Sequence, residues 1–263
     1  MADETIIDKA HAEMEAAPDD AQARLRFYER LADAELFLLL AKEPQAGTDD
    51  VEPEIFEVEQ TGYILVFDRE ERLAQFAGKV APYVALSGRA LVSMIAGQGI
   101  GIGLNLDVAP SQTLLPAEAI EWLQDTLANT PGETSARIIE VQVPTGLPER
   151  LIEALDAKLA TAMGLADRAY LAAARYEGGA QGHILAFVSA VPEAEPALAR
   201  AVGEALTFSG IEAGALDVAF FRAADPVVGH LDQVGLRFDL PQLQAPAPRA
   251  APGSDPATPP KLR

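Results

Sequence analysis

Hydrophobic positions in the first half of the chain alternate between a helical and an extended spacing, which predicts a mixed domain of helices and strands. Ile7, Ala10 and Met14 share one face of a first helix, and Asp20 is placed to cap a second one. Further helices are predicted over 69–77, over 88–96 and from Pro116 onward. Strands are predicted over 35–41, 54–59, 63–67 and 83–86. We therefore expect acidic N-terminal helices over 1–34 and a mixed α/β domain over 35–128.

One predicted strand has an unusual sequence, Gln98-Gly-Ile-Gly-Ile-Gly-Leu-Asn-Leu-Asp107. Its aliphatic residues alternate with glycines and an asparagine, a period of two that indicates a β-strand. One face of this strand is nearly bare backbone, so we expect another group to approach it closely. A dinucleotide fingerprint does not fit, because Ile102 and Leu104 stand where GxGxxG needs its third glycine.

The pattern after the polar, helix-breaking segment 129–135 predicts a second domain over 137–240. Its predicted strands are 137–143, 168–176, 183–190 and 215–222, and its helices are 148–163 and 194–207. This βαββαβ order is that of the ferredoxin-like arrangement, with helices on one face of an antiparallel sheet. A last strand over 235–239 either extends this sheet or returns to the first domain. The expected fold class is α+β with two small domains.

The last segment, 241–263, contains seven of the 19 prolines and almost no apolar side chains. This composition is typical of a disordered tail.

Composition adds a strong negative charge to this picture. The 263 residues include 40 Asp and Glu against 20 Lys and Arg, a net charge of −20, and the first 60 residues hold 17 acidic and 5 basic side chains. Such a field repels phosphate backbones and anionic lipids, so neither nucleic acid nor a membrane is expected as a partner. The N-terminus lacks the basic and apolar segments of a secretory signal, which predicts a cytoplasmic location.

Candidate chemistry is sparse. The absence of cysteine excludes thiol nucleophiles, disulfides and thiolate metal sites. His11, His183 and His230 are scattered without metal-ligand spacing, and no serine lies in a GxSxG motif. The acidic residues between 49 and 59 lack the spacing of a calcium loop and are interpreted as a solvated face. We expect no metal and no cofactor.

The middle of the first domain resembles the SseB (enhanced serine sensitivity) family. The resemblance rests on Tyr63-Ile-Leu-Val-Phe-Asp-Arg-Glu-Glu-Arg-Leu73, on Pro82-Tyr-Val-Ala-Leu-Ser-Gly88 and on Gly103-Leu-Asn105. Here Leu106 replaces the proline that follows the asparagine in the family pattern. Residues 137–240 look like the family's C-terminal domain. The resemblance implies a protein named for a serine-sensitivity phenotype, with no defined reaction.

Five residues are candidates for a ligand-binding or partner-binding site: Arg72, Tyr83, Gly101, Gly103 and Asn105. Arg72 either pairs with Glu70 or an upstream carboxylate, or clamps an anionic ligand. Asn105 suits polar contact beside bare backbone, and it is also a common turn residue. Tyr83 is either part of such a site or a core side chain.

Two functions remain open. The first is a non-enzymatic interaction or regulatory protein that binds a protein partner, and it leaves homo-oligomer formation open. The alternative is an enzyme or sensor that binds a small amino-acid-like ligand at the domain interface. Because no nucleophile, metal set or phosphate loop is recognisable, the sequence favours the first.

Overall fold

The computed structural model describes residues 4–43, 51–58, 61–128, 136–211 and 216–242, which form two β-sheets and the helices packed on them. The helices are α1 (Ile6–Ala16), α2 (Ala21–Asp33), α3 (Glu70–Ala77), α4 (Gly88–Ile95), α5 (Ala117–Ala128), α6 (Glu149–Ala160), α7 (Glu195–Phe208) and α8 (Pro226–Val234). The strands are β1 (Glu35–Leu39), β2 (Ile55–Val58), β3 (Thr61–Phe67), β4 (Tyr83–Ser87), β5 (Gly101–Leu104), β6 (Thr113–Leu115), β7 (Ile138–Gln142), β8 (Arg168–Tyr176), β9 (Gln181–Val188), β10 (Asp217–Phe221) and β11 (Leu236–Asp239). The predicted α+β class with two domains is confirmed.

Several helices begin and end at residues that the sequence marks for that role. The Thr5 hydroxyl accepts a hydrogen bond from the Asp8 backbone N–H, and the Asp8 carboxylate accepts one from the Thr5 N–H, so α1 starts with a capping box. Asp20 caps α2 as predicted. Gly78 ends α3 with φ +62°, a left-handed conformation that suits glycine.

The first sheet has the strand order β4-β1-β3-β5-β6, and β2 pairs with β3 in line with β1. Strands β3 and β5 are parallel, and the other pairs are antiparallel. The face that we call the inner face packs on α1, α2, α4 and α5 through one hydrophobic core. The opposite, outer face is covered in part by α3 and by the segment after β5.

The second sheet has the order β10-β9-β8-β11, and β7 pairs with β8 on the same side as β11. The βαββαβ order is present, and β11 extends this sheet. The expected antiparallel ferredoxin-like sheet with helices on one face is wrong in two respects. Strand β10 is parallel to β9, and α8 packs on the face opposite α6 and α7. A tight β8–β9 hairpin places these strands side by side, and α7 then returns the chain beside β9.

Two elements are additional to those predicted from the sequence. Strand β6 has three residues, which is too short to show a periodicity. Helix α8 has nine residues and includes Gly229, which weakens its helical signal. The domain boundary at 129–135 and the proline-rich tail beyond Gln242 lie outside the described residues.

The two domains meet where α7 touches both cores. Phe208, at the end of α7, is buried among residues of the first domain's core, while Leu198 and Val202 of the same helix lie in the second core. Helices α1 and α2 share the core of the first sheet. The first structural unit therefore begins with α1, and its core includes one side chain from beyond residue 200.

Candidate functional site

Arg72 lies at the centre of a buried polar network at one end of the first sheet. Its guanidinium donates to both carboxylate oxygens of Asp8, at 3.1 and 2.5 Å, and to Asp68 Oδ1 at 2.7 Å. Asp8 lies on α1, Asp68 directly follows β3, and Arg72 lies on α3. All three side chains are buried. One cation therefore joins three elements through a bidentate contact and a second ion pair.

Asn105 belongs to the same network. Its side-chain oxygen accepts a hydrogen bond from the Asp68 backbone N–H at 3.1 Å, and its amide nitrogen donates to Ser111 Oγ at 2.9 Å. Ser111 in turn donates to Asp8 Oδ1 at 2.5 Å. Asn105 is fully buried and has φ +49°, a conformation that asparagine tolerates better than most residues. We call this set the Arg72 network: Thr5, Asp8, Asp68, Arg72, Asn105 and Ser111.

The environment of Asp8 keeps its carboxylate ionised. Burial alone would raise the pKa of Asp8, but the hydrogen bonds from Arg72, Ser111 and the Thr5 backbone outweigh burial and hold this pKa far below its usual range. Burial alone would lower the pKa of the Arg72 guanidinium, but its contacts with Asp8 and Asp68 outweigh burial and raise this pKa. Both groups therefore carry full charge at neutral pH.

These contacts decide between the two interpretations of Arg72. The guanidinium pairs with an upstream carboxylate, Asp8, and with Asp68, whereas Glu70 is not its partner. An anionic ligand would have to displace both carboxylates from a buried site. The network therefore holds α1, α3 and the segment after β5 to the sheet. Asp8 and Ser111 are far from Arg72 in sequence, and no local motif points to them.

The glycine face of β5 is covered by side chains of the chain itself. A Cβ atom at Gly101 would lie 2.5 Å from the Tyr63 ring and 2.5 Å from the Leu115 carbonyl oxygen. At Gly103 it would lie 2.9 Å from Leu106 and 3.0 Å from Leu65. The predicted close approach to bare backbone is therefore made by these neighbours.

An apolar surface surrounds these glycines on the outer face of the sheet. Phe56 is the cross-strand partner of Tyr63, and Tyr63 is the partner of Gly101. Partners directly opposite share one face of a sheet. Leu114 is opposite Gly103 and is 39 % exposed, while Phe56 is 52 % exposed. We call this surface the outer-face patch: Phe56, Tyr63, Leu106 and Leu114.

Tyr83 lies on the same outer face, on the edge strand β4. Its ring meets the Phe37 ring edge-to-face, with 5.7 Å between centroids, and 37 % of the residue is exposed. A hydrogen bond with Glu70 raises the pKa of its hydroxyl. Tyr83 is thus half-packed at the edge, and α3 lies between its part of the face and β5.

Charged side chains fill the interface between the domains. Lys158 Nζ on α6 contacts Asp33 on α2 at 2.5 Å, Glu204 on α7 at 3.4 Å and Glu29 on α2 at 3.5 Å. Arg89 on α4 donates to Glu204 through two bonds of 2.6 and 2.7 Å, and to Asp33 at 2.5 Å. These residues form the Lys158 cluster: Glu29, Asp33, Arg89, Lys158 and Glu204. The cluster brings three carboxylates and two cations together across the interface, where the alternative function places a small ligand.

The second domain has an open apolar groove of about 390 Å³ between the end of β7, α6 and the start of β11. The groove is lined by Val143, Pro144, Gly146, Leu147, Ile152, Leu171, Val234, Gly235 and Leu236. No titratable side chain lines it. It is separate from all five candidate residues.

The described part of the chain contains no group of three or more His, Asp or Glu side chains arranged to hold a metal ion. Within these same ranges, no helix combines the length and the hydrophobicity needed to cross a bilayer.

Residues 7–122 match the family model of the SseB protein N-terminal domain. This range begins within α1 and ends within α5, so it contains the first sheet, the Arg72 network and the outer-face patch. The chain therefore carries an SseB protein N-terminal domain. The match does not reach residues 137–240, whose assignment to the family's C-terminal domain stays a prediction. Comparisons with curated proteins and with solved structures find no match.

Proposed function

We propose that this chain is a cytoplasmic, non-enzymatic interaction protein that binds a protein partner through the outer-face patch. The observation that carries the proposal is the exposure of Phe56 and Leu114 on one face of a sheet, on either side of the half-buried Tyr63. Aromatic side chains such as those of Phe56 and Tyr63 are enriched at the centres of protein interfaces. Exposed apolar surface on an otherwise well-packed domain supports an interaction role.

The buried residues that hold the patch in a fixed conformation also support this role. Of the five candidate residues, Gly101 and Gly103 lie buried beneath Tyr63 and Leu106 of the patch, and Tyr83 lies farther along the same face. Arg72 and Asn105 are buried and contribute indirectly, because their network fixes the segment that carries Leu106. A surface held in place before binding loses less conformational entropy when a partner docks.

A site-specific crosslinking experiment tests the proposal. A photoreactive amino acid replaces Phe56 in the full chain, and in a matched variant it replaces Ile139, which is equally exposed on β7 in the other domain. After irradiation in cells that produce the protein, we expect a discrete adduct from position 56 that is absent from position 139. Introducing Leu114→Ser into the first variant should reduce that adduct. Equal adducts from both positions, or none from position 56, would contradict the proposal.

A further inference from the structure

We infer that the partner segment that binds the outer-face patch is apolar and positively charged. This inference rests on the proposed interaction function and adds the chemistry of the partner. The patch is flanked by two exposed carboxylates. Glu54 directly precedes β2, two residues before Phe56, and its backbone N–H is bonded to the Leu39 carbonyl; Asp107 follows Leu106.

The carboxylate of Asp107 is displayed by a fixed turn. Asp107 has φ +59°, and its backbone N–H donates to Gln112 Oε1 at 3.1 Å. Two residues earlier, Asn105 is anchored in the Arg72 network and accepts a backbone hydrogen bond from Val108. The turn therefore holds a negative charge beside Leu106 before any partner arrives, which favours a partner with lysine or arginine at that point.

The dimensions of the patch limit the length of the segment. From β2 across β3 and β5 to β6 there are three inter-strand steps, which span about 14 Å. An extended chain covers that distance with about four residues. Between the exposed Phe56 and Leu114 at its ends, the path crosses Tyr63 and Leu106, which lie over the two glycines and are only partly exposed. Two apolar side chains separated by a short extended stretch, with Lys or Arg beside them, match this shape.

Charge argues against a second copy of this chain as the occupant. Two copies meeting through the same patch would bring Glu54 and Asp107 of each against those of the other, and each chain carries a net charge of −20. Like charges that face each other across an interface weaken it. The same field attracts and orients a basic partner.

Defined peptides test the inference on the full chain. The probes are three short fluorescent peptides of equal length in which leucine alternates with lysine, leucine with glutamate, or serine with lysine. Binding is measured by fluorescence anisotropy at about 0.05 M and about 0.3 M salt, where screening differs strongly. We expect the leucine–lysine peptide to bind most tightly and to weaken as salt rises.

Matched variants separate patch binding from general attraction to an acidic protein. Phe56→Ser should weaken binding at least about tenfold, as loss of an interface anchor does, whereas Ile139→Ser should leave it unchanged. The double variant Glu54→Gln/Asp107→Asn should weaken binding several-fold and flatten its salt dependence. Its control, Glu118→Gln/Glu121→Gln on the exposed side of α5, removes the same charge and should have little effect.

Several outcomes would overturn the inference. Equal binding of the serine–lysine peptide, or equal weakening by the α5 control, would show attraction to net charge alone. Tighter binding of the leucine–glutamate peptide would show the opposite partner chemistry. Absence of leucine–lysine binding while the adduct from position 56 persists would remove the inference and leave the proposed function standing. If that adduct is also absent, both fail.

Discussion

The Arg72 network and the Lys158 cluster are both groups of ion pairs with buried members, but one lies within a domain and the other between two domains. In the Arg72 network, Asp8 and Asp68 each have a close contact with the guanidinium. In the Lys158 cluster, Asp33 lies 2.5 Å from Lys158 but Glu29 lies 3.5 Å away. Both clusters bury carboxylates, but they differ in how closely each carboxylate is paired.

The pKa values record this difference. Hydrogen bonds outweigh burial at Asp8 and lower its pKa. At Asp33, burial is likewise outweighed by Lys158 and Arg89, and the pKa is lowered. At Glu29, burial is the largest effect and the more distant Lys158 does not offset it, so the pKa is raised. Asp8 and Glu29 are similarly buried, yet their pKa values shift in opposite directions, because Asp8 has the closer hydrogen bonds.

The largest effect is expected from Arg72→Met. This change leaves Asp8 and Asp68 buried without their counter-ion, and breaking a buried pair in this way costs about 3–5 kcal/mol. The free energy of unfolding in urea measures the loss. Arg175→Met, which breaks an exposed pair with Glu140, is the control and should cost less than about 1 kcal/mol. Similar losses in the two variants would show that the Arg72 network is not a stabilising unit.

Lys158→Met is expected to act mainly on the contact between the domains. Arg89 still pairs with Glu204 and Asp33, so the loss should be smaller, about 2 kcal/mol. Because the cluster joins the domains, calorimetry should show one unfolding transition divide into two. The control is Arg150→Met, which removes an exposed hydrogen bond to Gln22 across the same interface. A single, merely shifted transition would contradict the separate role of the cluster.

Acid should weaken the Arg72 network through Asp8. Because the pKa of Asp8 is lower in the folded than in the unfolded chain, its contribution is fully present above the unfolded value of about 4 and is lost as the pH falls below it. One such carboxyl group can change the unfolding free energy by at most about 1.4 kcal/mol for each unit of pH. In Asp8→Asn, the denaturation curves between about pH 4 and pH 2 should depend less on pH. An unchanged slope would exclude Asp8 as the source.

The smallest effect is expected from Glu29→Gln. The raised pKa of Glu29 means that the folded protein disfavours its charged form, so removing that charge at pH 7 should change stability by less than about 0.5 kcal/mol, in the stabilising direction. Asp33→Asn is the comparison on the same helix and should destabilise by about 1 kcal/mol, because it removes two close ion contacts. A larger loss of stability in Glu29→Gln than in Asp33→Asn would contradict the conclusion that Asp33 is the more closely paired carboxylate.

Much of the fold could be predicted because its signals are local. Asp20, Gly78 and Pro116 mark helix ends, and the alternation through β5 marks a strand. The strand order of the second sheet could not be predicted, since the element order does not determine which edge each strand joins. The partners of Arg72 could not be predicted either, because Asp8 and Ser111 lie 64 residues before it and 39 residues after it in the sequence.

For the outer-face patch, the sequence contains one local pattern that points to an exposed strand. In Glu54-Ile-Phe-Glu-Val58 the apolar residues of a predicted strand stand between glutamates, which is typical of an edge with a solvated side. That pattern could have drawn attention to Phe56. It could not show that Leu114 lies two strands beyond Tyr63, because β6 itself was too short to be predicted.

Phe208 has a consequence for the order in which the protein is made. It completes the core of the first domain, yet the ribosome synthesises it about 80 residues after α5 ends. Until then the nascent first domain exposes the apolar cavity that Phe208 later fills, and exposed apolar surface attracts chaperones and favours aggregation. The core of the first domain is therefore complete only after α7 has been synthesised, although the rest of that domain comes first in the sequence.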